Sequence, residues 1–304
     1  MGRGKHFITL KDWSWEEIEH SLKRAFGHKK EPNALPRFPH GKVAHIFFEP
    51  STRTSLSFSI AARNLGMQVY SIDEEHSSMK KGETFIETVT TLANLGIQSV
   101  IVRHKENGFL SDYSELSPLA LINAGEGTTE HPSQVLLDAM TVLEKHKRLK
   151  NLTISLVGDL SHSRVASSHI SFWSRQPSNQ IYLYAPEELS FKVDSNQPTS
   201  KQIENVADWD AILEKSDVLI MLRHQKERHL GKVNFDSLSF QLNKERLKKL
   251  NKKCLIMHPG PFILGEEITS DVLSHSQCAI YEQVKNSVFA RMSIIEKTMH
   301  AWNF

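Results

Sequence analysis

Three hydroxyl side chains and a guanidinium group stand together in the segment Ser51-Thr52-Arg53-Thr54, directly after the apolar run Val43–Phe48. The apolar run is typical of a buried strand, and the segment after it has the pattern of a helix start. The first turn of a helix carries free N–H groups and the positive end of the helix dipole. Added hydroxyl and guanidinium donors predict a phosphate cradle there. The alternative is an ordinary N-cap followed by a solvated arginine.

A histidine and an amide open a second predicted helix, in His131-Pro132-Ser133-Gln134, after the glycine-rich stretch Asn123–Gly127. The proline suits the first helical turn, where its missing N–H costs nothing. The imidazole of His131 can donate to a developing oxyanion, and the amide of Gln134 can position a ligand. The alternative is that His131 is a surface residue in front of the helix.

Two further segments carry arginine after predicted strands, Gly158–Arg164 and Arg223–Arg228. The first resembles a nucleotide-binding turn but lacks the GxGxxG spacing, so a dinucleotide site is not favoured. Arg223 and Gln225 alternate in phase and can face one side, and a guanidinium binds a carboxylate through two donors. Arg103 follows another strand and adds a cation. The alternative for Gly158–Arg164 is a tight strand–helix turn with an exposed arginine, and that for Arg223–Arg228 is a solvated, charged loop at a strand end.

Two turns complete the set: His258–Pro261, whose carbonyls can point into a cleft, and the polar loop Ser77–Glu83. A simple connector turn is the alternative for the first. Nearly all these segments follow a predicted strand, and open α/β sheets bind ligands at the carboxyl ends of their strands. The segments supply cations, an imidazole and amides, but no obvious covalent nucleophile. This composition favours a polyanionic substrate and direct group transfer.

The elements that must position these residues alternate between short apolar runs and helical segments, which predicts parallel sheets covered by helices. The strand-like runs are Val43–Phe48, Gln68–Ile72, Val100–Val102, Leu119–Ile122, Thr153–Val157, Gln180–Tyr184, Val218–Leu222 and Leu255–Met257. The helical segments include Ser55–Leu65, Thr84–Asn94, Ser163–Trp173 and Glu245–Leu250, with longer helices over Pro132–His146 and Ile280–Trp302. The polar stretch Lys145–Asn151 marks the best domain boundary.

A chain of 304 residues, 39% hydrophobic and 24% charged, has globular composition and is long enough for two ordinary domains. Its net charge of +2 gives no reason to expect nucleic-acid or membrane binding. Neither of its two cysteines lies in a CxxC pair, so disulfides and structural zinc are not expected. The first residues lack the apolar core of a signal peptide, and no run approaches the ~20 apolar residues that cross a bilayer. We therefore expect a soluble protein in the reducing cytoplasm.

In order and spacing, these motifs resemble the aspartate and ornithine carbamoyltransferase family, from about Trp15 to the end of the chain. The segments that carry the resemblance are Phe47–Thr54, His131–Gln134, Gly158–Arg164, Arg223–Arg228 and Asn286–Met292. The resemblance implies two doubly wound α/β domains joined by two long helices. Residues 1–149 are then a carbamoyl-phosphate domain on which helix 280–304 packs, and residues 150–279 are an aspartate domain.

The resemblance also implies the site residues. The phosphate is held by Ser51, Thr52, Arg53 and Thr54, and the carbamoyl end by Arg103, His131, Gln134 and the backbone of Gly260 and Pro261. Aspartate is bound by Lys81, Arg164, Arg223 and Gln225. The catalytic set is Arg53, Thr54, Arg103 and His131. The family further implies a homotrimer in which Ser77 and Lys81 enter the site of a neighbouring subunit. Departures from its usual residues are Ser55, Gly260, Phe262 and Ser287.

The choice of acceptor depends on two places in the chain. Ornithine enzymes resemble His-Cys-Leu-Pro where this chain has His258-Pro259-Gly260-Pro261, without that cysteine. Two carboxylates of aspartate suit Arg164 and Arg223, which would repel the second amine of ornithine. We therefore expect carbamoyl transfer to L-aspartate, an early step of pyrimidine synthesis, with no metal or organic cofactor. The alternatives are another amino-acid acceptor such as ornithine, or an inactive binding or scaffold relative. Whether trimers join regulatory chains or a dihydroorotase stays open.

Overall fold

The computed structural model describes residues 5–32, 34–73, 78–192, 198–225 and 237–304. The chain divides into two compact units. The first combines Met1–Met140 with Val284–Phe304, and the second is Thr141–Gln283. Each division falls within a long helix, Pro132–His146 or Ile280–Ala301.

The first unit is built on a parallel sheet whose described strands stand in the order β2-β1-β3-β4. The strands are β1 Lys42–Phe47, β2 Gln68–Ile72, β3 Ser99–His104 and β4 Ala120–Glu126. The chain steps from β1 to β2 and then crosses to β3 on the other side of β1. Such a reversal of strand order leaves a crevice at the carboxyl ends of the two strands that flank it.

Local sequence signals explain where helices of this unit begin. At the first helix, the Ser14 hydroxyl accepts from the Glu17 N–H at 3.1 Å, and the Glu17 carboxylate accepts from the Ser14 N–H at 2.7 Å. This capping box satisfies two N–H groups at the helix end. The helices are α1 Trp15–Lys30, α2 Thr52–Asn64, α3 Phe85–Asn94, α4 Phe109–Tyr113 and α5 Pro132–His146, and α9 is Ile280–Ala301.

Helix α9 is joined to α1 by buried polar contacts within the first unit. The hydroxyls of Ser21 and Ser293 lie 2.9 Å apart, and His28 Nε2 lies 2.8 Å from the Glu296 carboxylate. The Arg37 guanidinium lies 3.2 Å from the same carboxylate. Because these partners are far apart in sequence, the segment that closes the chain is an integral part of the unit that opens it.

The second unit has a parallel sheet whose described strands stand in the order β7-β6-β5-β8-β9. The strands are β5 Thr153–Val157, β6 Gln180–Tyr184, β7 Ile203–Asn205, β8 Val218–Met221 and β9 Leu255–Met257, and the helices are α6 Arg164–Trp173, α7 Lys244–Lys249 and α8 Ser270–Leu273. Here the strand order reverses at β5, so the crevice lies at the carboxyl ends of β5 and β8.

The predicted α/β class with parallel, doubly wound sheets is confirmed, and each predicted strand and helix has its counterpart. The elements that were not predicted are the helix α1, the short helices α4 and α8, and the three-residue edge strand β7. Helix α2 begins at Thr52, three residues before the predicted helical segment Ser55–Leu65, which agrees with the helix start expected in Ser51–Thr54. In the described part of the chain, every helix is too short or too polar to span a membrane.

His45 is a buried titratable group at the centre of β1. Its side chain is 2% exposed, and neither ring nitrogen has a hydrogen-bond partner among the described residues. Burial penalises the charged imidazolium and lowers the pKa of His45 from 6.5 to about 4. The folded protein therefore resists protonation of His45 over a pH range in which the unfolded chain takes up a proton.

We expect this depressed pKa to reduce stability in mild acid. The contribution is complete above pH 6.5 and is lost as the pH falls towards 4, because only the unfolded state then binds the proton. Between pH 7 and 4.5 the loss is about 2–3 kcal/mol, which His45→Asn removes. Urea unfolding of both proteins across this range measures the difference. His20→Asn, at an exposed position of α1, is the control and keeps the wild-type pH dependence. An unchanged pH dependence in His45→Asn would contradict the prediction.

Candidate functional site

The first unit places the segment 51–54 at its strand-order reversal. β1 ends at Phe47, and α2 begins at Thr52 with Ser51 in the N-cap position. The Ser51 side chain makes no capping hydrogen bond, so the ordinary N-cap role that was the alternative is not realised. Its hydroxyl therefore remains available to a ligand at the positive end of a helix of 13 residues. Arg53 is exposed there, whereas Thr54 is buried.

Arg103 lies on the other strand of the same reversal. It pairs in register with Phe47, so both side chains emerge on one face of the sheet. The pairing of β3 with β4 shifts register between Val102 and His104, an irregularity that aims the intervening side chain. The Arg103 Nε lies 3.4 Å from the Glu49 carboxylate, in the loop that precedes the cradle. The guanidinium thus stands at the cradle, beside a carboxylate that a ligand anion can replace.

His131 lies at the end of the loop between β4 and α5, and close contacts hold this loop in place. Gly127 has a φ of +51°, and a Cβ there would lie 1.6 Å from the Asn107 Oδ1, so only glycine fits. The same oxygen accepts from the Thr128 N–H at 2.8 Å. His131 is buried at 5% exposure immediately before α5, rather than being the surface residue of the alternative.

Gln134 lies in the first turn of α5, where it is 7% exposed. Its Nε2 donates to both carboxylate oxygens of Asp138, at 3.1 and 3.2 Å. Sequence reasoning gave no role to Asp138, although its spacing of four residues from Gln134 places both on one helix face. That spacing was the signal available in the sequence.

A cleft of about 490 Å³ adjoins the cradle on the β2 side. It is lined by His45, Phe47, Phe48, Glu49, Pro50, Ser51, Thr52, Ser55, Ser71, Ile72 and Asp73. The lining thus combines cradle residues that carry hydroxyls with two residues that carry carboxylates. The cradle is therefore open to a small ligand from this side.

In the second unit, the ends of β5 and β8 approach each other closely. Gly158 has a φ of +129°, and a Cβ there would lie 2.3 Å from the Leu222 carbonyl oxygen. Buried Asp159 then joins the two segments, because its Oδ2 accepts from the Gln225 N–H at 3.2 Å and its Oδ1 contacts His162 Nδ1 at 2.9 Å. Gln225 Nε2 returns a bond to the His162 carbonyl at 2.9 Å. Sequence reasoning quoted Asp159 without recognising this role.

The remaining predicted residues of this unit also follow strands at the same edge. Arg164 is buried at the start of α6, and Arg223 follows β8 with partial exposure. Gly260 and Pro261 follow β9, where the Gly260 N–H donates to His258 Nδ1 at 2.8 Å. Cations and backbone carbonyls thus share the carboxyl edge of this sheet.

The predicted residues fall into one group in each unit. Those of the first unit are Ser51, Thr52, Arg53, Thr54, Arg103, His131 and Gln134, and those of the second are Arg164, Arg223, Gln225, Gly260 and Pro261. Lys81 ends the exposed 3-10 turn Ser78–Lys81, and no contact within the described residues joins it to the cradle of its own chain. Ser77 and residues 226–228 lie outside the described residues.

Comparison with known proteins assigns the family. The model of the aspartate/ornithine carbamoyltransferase carbamoyl-P binding domain matches residues 5–144, and that of the Asp/Orn binding domain matches residues 150–298. The chain belongs to the aspartate/ornithine carbamoyltransferase family. Membership agrees with the resemblance drawn from the motifs.

Similar relatives are found in bacteria and among solved structures. The aspartate carbamoyltransferase catalytic subunit of Legionella pneumophila (strain Lens) is 39% identical, covering 96% of this chain and 98% of the relative. The corresponding subunit of Staphylococcus carnosus is 34% identical, covering 96% and 94%. The aspartate transcarbamoylase of Trypanosoma cruzi, in complex with carbamoyl aspartate and phosphate, has a TM-score of 0.87 at 28% identity, covering 96% and 94%.

Proposed function

We propose that this protein transfers the carbamoyl group of carbamoyl phosphate to the amino group of L-aspartate, giving N-carbamoyl-L-aspartate and phosphate. The observation that carries the choice of acceptor is the carboxyl edge of the second sheet, where Arg164, Arg223 and Gln225 follow neighbouring strands. Two guanidinium groups suit the two carboxylates of aspartate. The related bacterial subunits carry the name aspartate carbamoyltransferase, which supports the same acceptor. This reaction is an early step of pyrimidine synthesis.

The chemical step is direct attack by the neutral amine of aspartate on the carbamoyl carbon. A tetrahedral oxyanion forms, and Thr54, Arg103 and His131 stabilise it, each donor contributing about 3 kcal/mol. Arg103 is held before the reaction by the Glu49 carboxylate and the Ala124 carbonyl, and Thr54 and His131 are buried. Their fixed positions spare reorganisation in the transition state.

The intermediate collapses by expelling phosphate. Ser51, Thr52, Arg53 and the first turn of α2 hold the departing group, since hydroxyl, guanidinium and backbone donors all favour its negative charge. The phosphate itself takes the proton of the attacking amine. Holding both substrates in one orientation supplies much of the remaining acceleration.

The two domains divide the substrates between them. Residues 1–149, with helix 280–304, bind carbamoyl phosphate, and residues 150–279 bind L-aspartate. The backbone of Gly260 and Pro261 accepts from the carbamoyl amine. The division of the chain at Met140 and Val284 supports this arrangement. Two free thiols, Cys254 and Cys278, agree with a cytoplasmic location.

A homotrimer completes the active site. Ser77 and Lys81 of one subunit enter the site of its neighbour, where Lys81 contacts the substrate. The exposed position of Lys81 at the end of a short turn supports this role, because an ammonium there is accessible to a second chain.

We expect Arg53→Ala to lower kcat/KM by about 30- to 1000-fold, because it removes a charge-assisted contact with phosphate worth about 2–4 kcal/mol. Steady-state kinetics with carbamoyl phosphate and aspartate measure the loss. Arg63→Ala is the matched control, since Arg63 is an exposed arginine in the last turn of the same helix. Unchanged kinetics in Arg53→Ala would remove Arg53 from the site.

An assay of carbamoyl transfer to a panel of amines tests the function itself. Aspartate is the preferred acceptor, and ornithine is poor because Arg164 and Arg223 repel its second amine.

Arg223→Ala raises the KM for aspartate by about 10-fold or more while carbamoyl phosphate binding stays near normal. Arg148→Ala, at an exposed position of the same unit, is the control. Turnover with ornithine but not aspartate would contradict the proposal, as would loss of carbamoyl phosphate binding in Arg223→Ala.

Subunit mixing tests the shared site. Arg53→Ala and Lys81→Ala chains are each nearly inactive alone. Mixed trimers place an intact Arg53 beside an intact Lys81 from the neighbour, so random mixing restores about a quarter of the wild-type activity. A mixture of Arg53→Ala and Arg103→Ala chains is the control. Each chain builds its cradle from its own Arg53 and Arg103, so every cradle in a mixed trimer has one defect and no native site forms. Native mass spectrometry confirms mixed trimers; their presence without recovered activity would refute the shared site.

A further inference from the structure

The amide of Gln134 has a fixed orientation within the first unit. Its nitrogen lies 3.1 and 3.2 Å from the two carboxylate oxygens of Asp138, and both side chains are buried. A carboxylate only accepts hydrogen bonds, so it holds the NH2 end of the amide and turns the carbonyl end away. A ligand group that approaches the amide oxygen of Gln134 therefore encounters a hydrogen-bond acceptor.

Arg291 of α9 is a buried cation that interacts electrostatically with Asp138. The guanidinium is 2% exposed, and burial lowers the pKa of Arg291 to about 9, while the negative charge of Asp138 acts to raise it. The Cζ atom of Arg291 also lies over the ring of Phe58, 4.9 Å from the ring centroid. Phe58 belongs to α2, the helix that begins at the phosphate cradle. The opposite charges of Arg291 and Asp138 therefore attract each other within the first unit.

We propose that Asp138 orients the Gln134 amide so that the site selects carbamoyl phosphate over acetyl phosphate, with Arg291 acting on Asp138 through its charge. The two molecules have similar size and differ where one carries NH2 and the other CH3. An acceptor fixed opposite this position binds the NH2 and is left unpaired by the methyl group. Asp138 and Arg291 are positioning residues that act through Gln134. The inference rests on the proposed function, because it concerns the donor substrate of that reaction.

Exchange of donor and acceptor between positions 134 and 138 tests the proposal. In Asp138→Asn, the asparagine can accept or donate, so the Gln134 amide is no longer held in one orientation. In the double variant Gln134→Glu/Asp138→Asn, the asparagine NH2 donates to one glutamate oxygen and the other oxygen faces the ligand. The double variant also restores the net charge of the buried group with Arg291, which the single Asp138→Asn change does not.

The readout is the Ki of acetyl phosphate divided by the KM of carbamoyl phosphate, with kcat followed separately. We expect this ratio to fall by about 10- to 100-fold in Asp138→Asn and to return to within about 3-fold of wild type in the double variant. A purely structural role of Asp138 would lower stability or kcat without moving the ratio. A wild-type ratio in folded Asp138→Asn, or no recovery in a folded double variant, would overturn the inference.

Melting shifts caused by each ligand give a second readout that needs no turnover. Carbamoyl phosphate raises Tm more than acetyl phosphate does in wild type and in the double variant, and the difference shrinks in Asp138→Asn. If Asp138→Asn does not fold, Gln134→Glu alone against the double variant carries the comparison, with the larger selectivity expected in the double variant. Equal selectivity in those two proteins would overturn the inference. Absence of turnover with every amine would overturn the proposed function, while the melting shifts still decide the selectivity.

Discussion

The reversal of strand order in each sheet determines where charged and polar groups can gather in this protein. A parallel sheet is covered on both faces, so its strands are apolar. The groups that bind ligands are therefore confined to the carboxyl ends of the strands. In the first unit the reversal joins the ends of β1 and β3, and in the second it joins the ends of β5 and β8. Segments far apart in sequence, such as those that carry Arg53 and Arg103, thereby become neighbours.

The sequence was most informative where burial dictates composition. Strands β5, β6 and β9 were predicted with the bounds that the structure gives, because runs of apolar residues between polar turns leave little choice. The motif segments were also found at strand ends, since hydroxyl, arginine and histidine residues are conspicuous after apolar runs. Helix α1 was not predicted, although the spacing of Ser14 and Glu17 is that of a capping box and indicates a helix start.

What escaped prediction depends on contacts between distant segments. Asp159 is an unremarkable acidic residue in the sequence, and its contact with Gln225 arises only when the fold brings the ends of β5 and β8 together. The electrostatic interaction of Asp138 with Arg291 likewise joins residues far apart in the chain, although the spacing of Asp138 from Gln134 was visible in the sequence. Periodicity describes one element at a time and contains no information about such partners.

The composition of the first unit from Met1–Met140 and Val284–Phe304 has a consequence for biosynthesis. The ribosome makes the second unit, through Gln283, before it completes α9, which supplies Ser293 and Glu296 to α1 and Arg291 to the interior. Domains generally fold as units during synthesis, with the N-terminal domain first. Here the order is reversed: the middle of the chain can finish folding while the segment made first still waits, with exposed apolar faces, for its last helix. Chaperones would therefore meet the nascent chain at its N-terminal half.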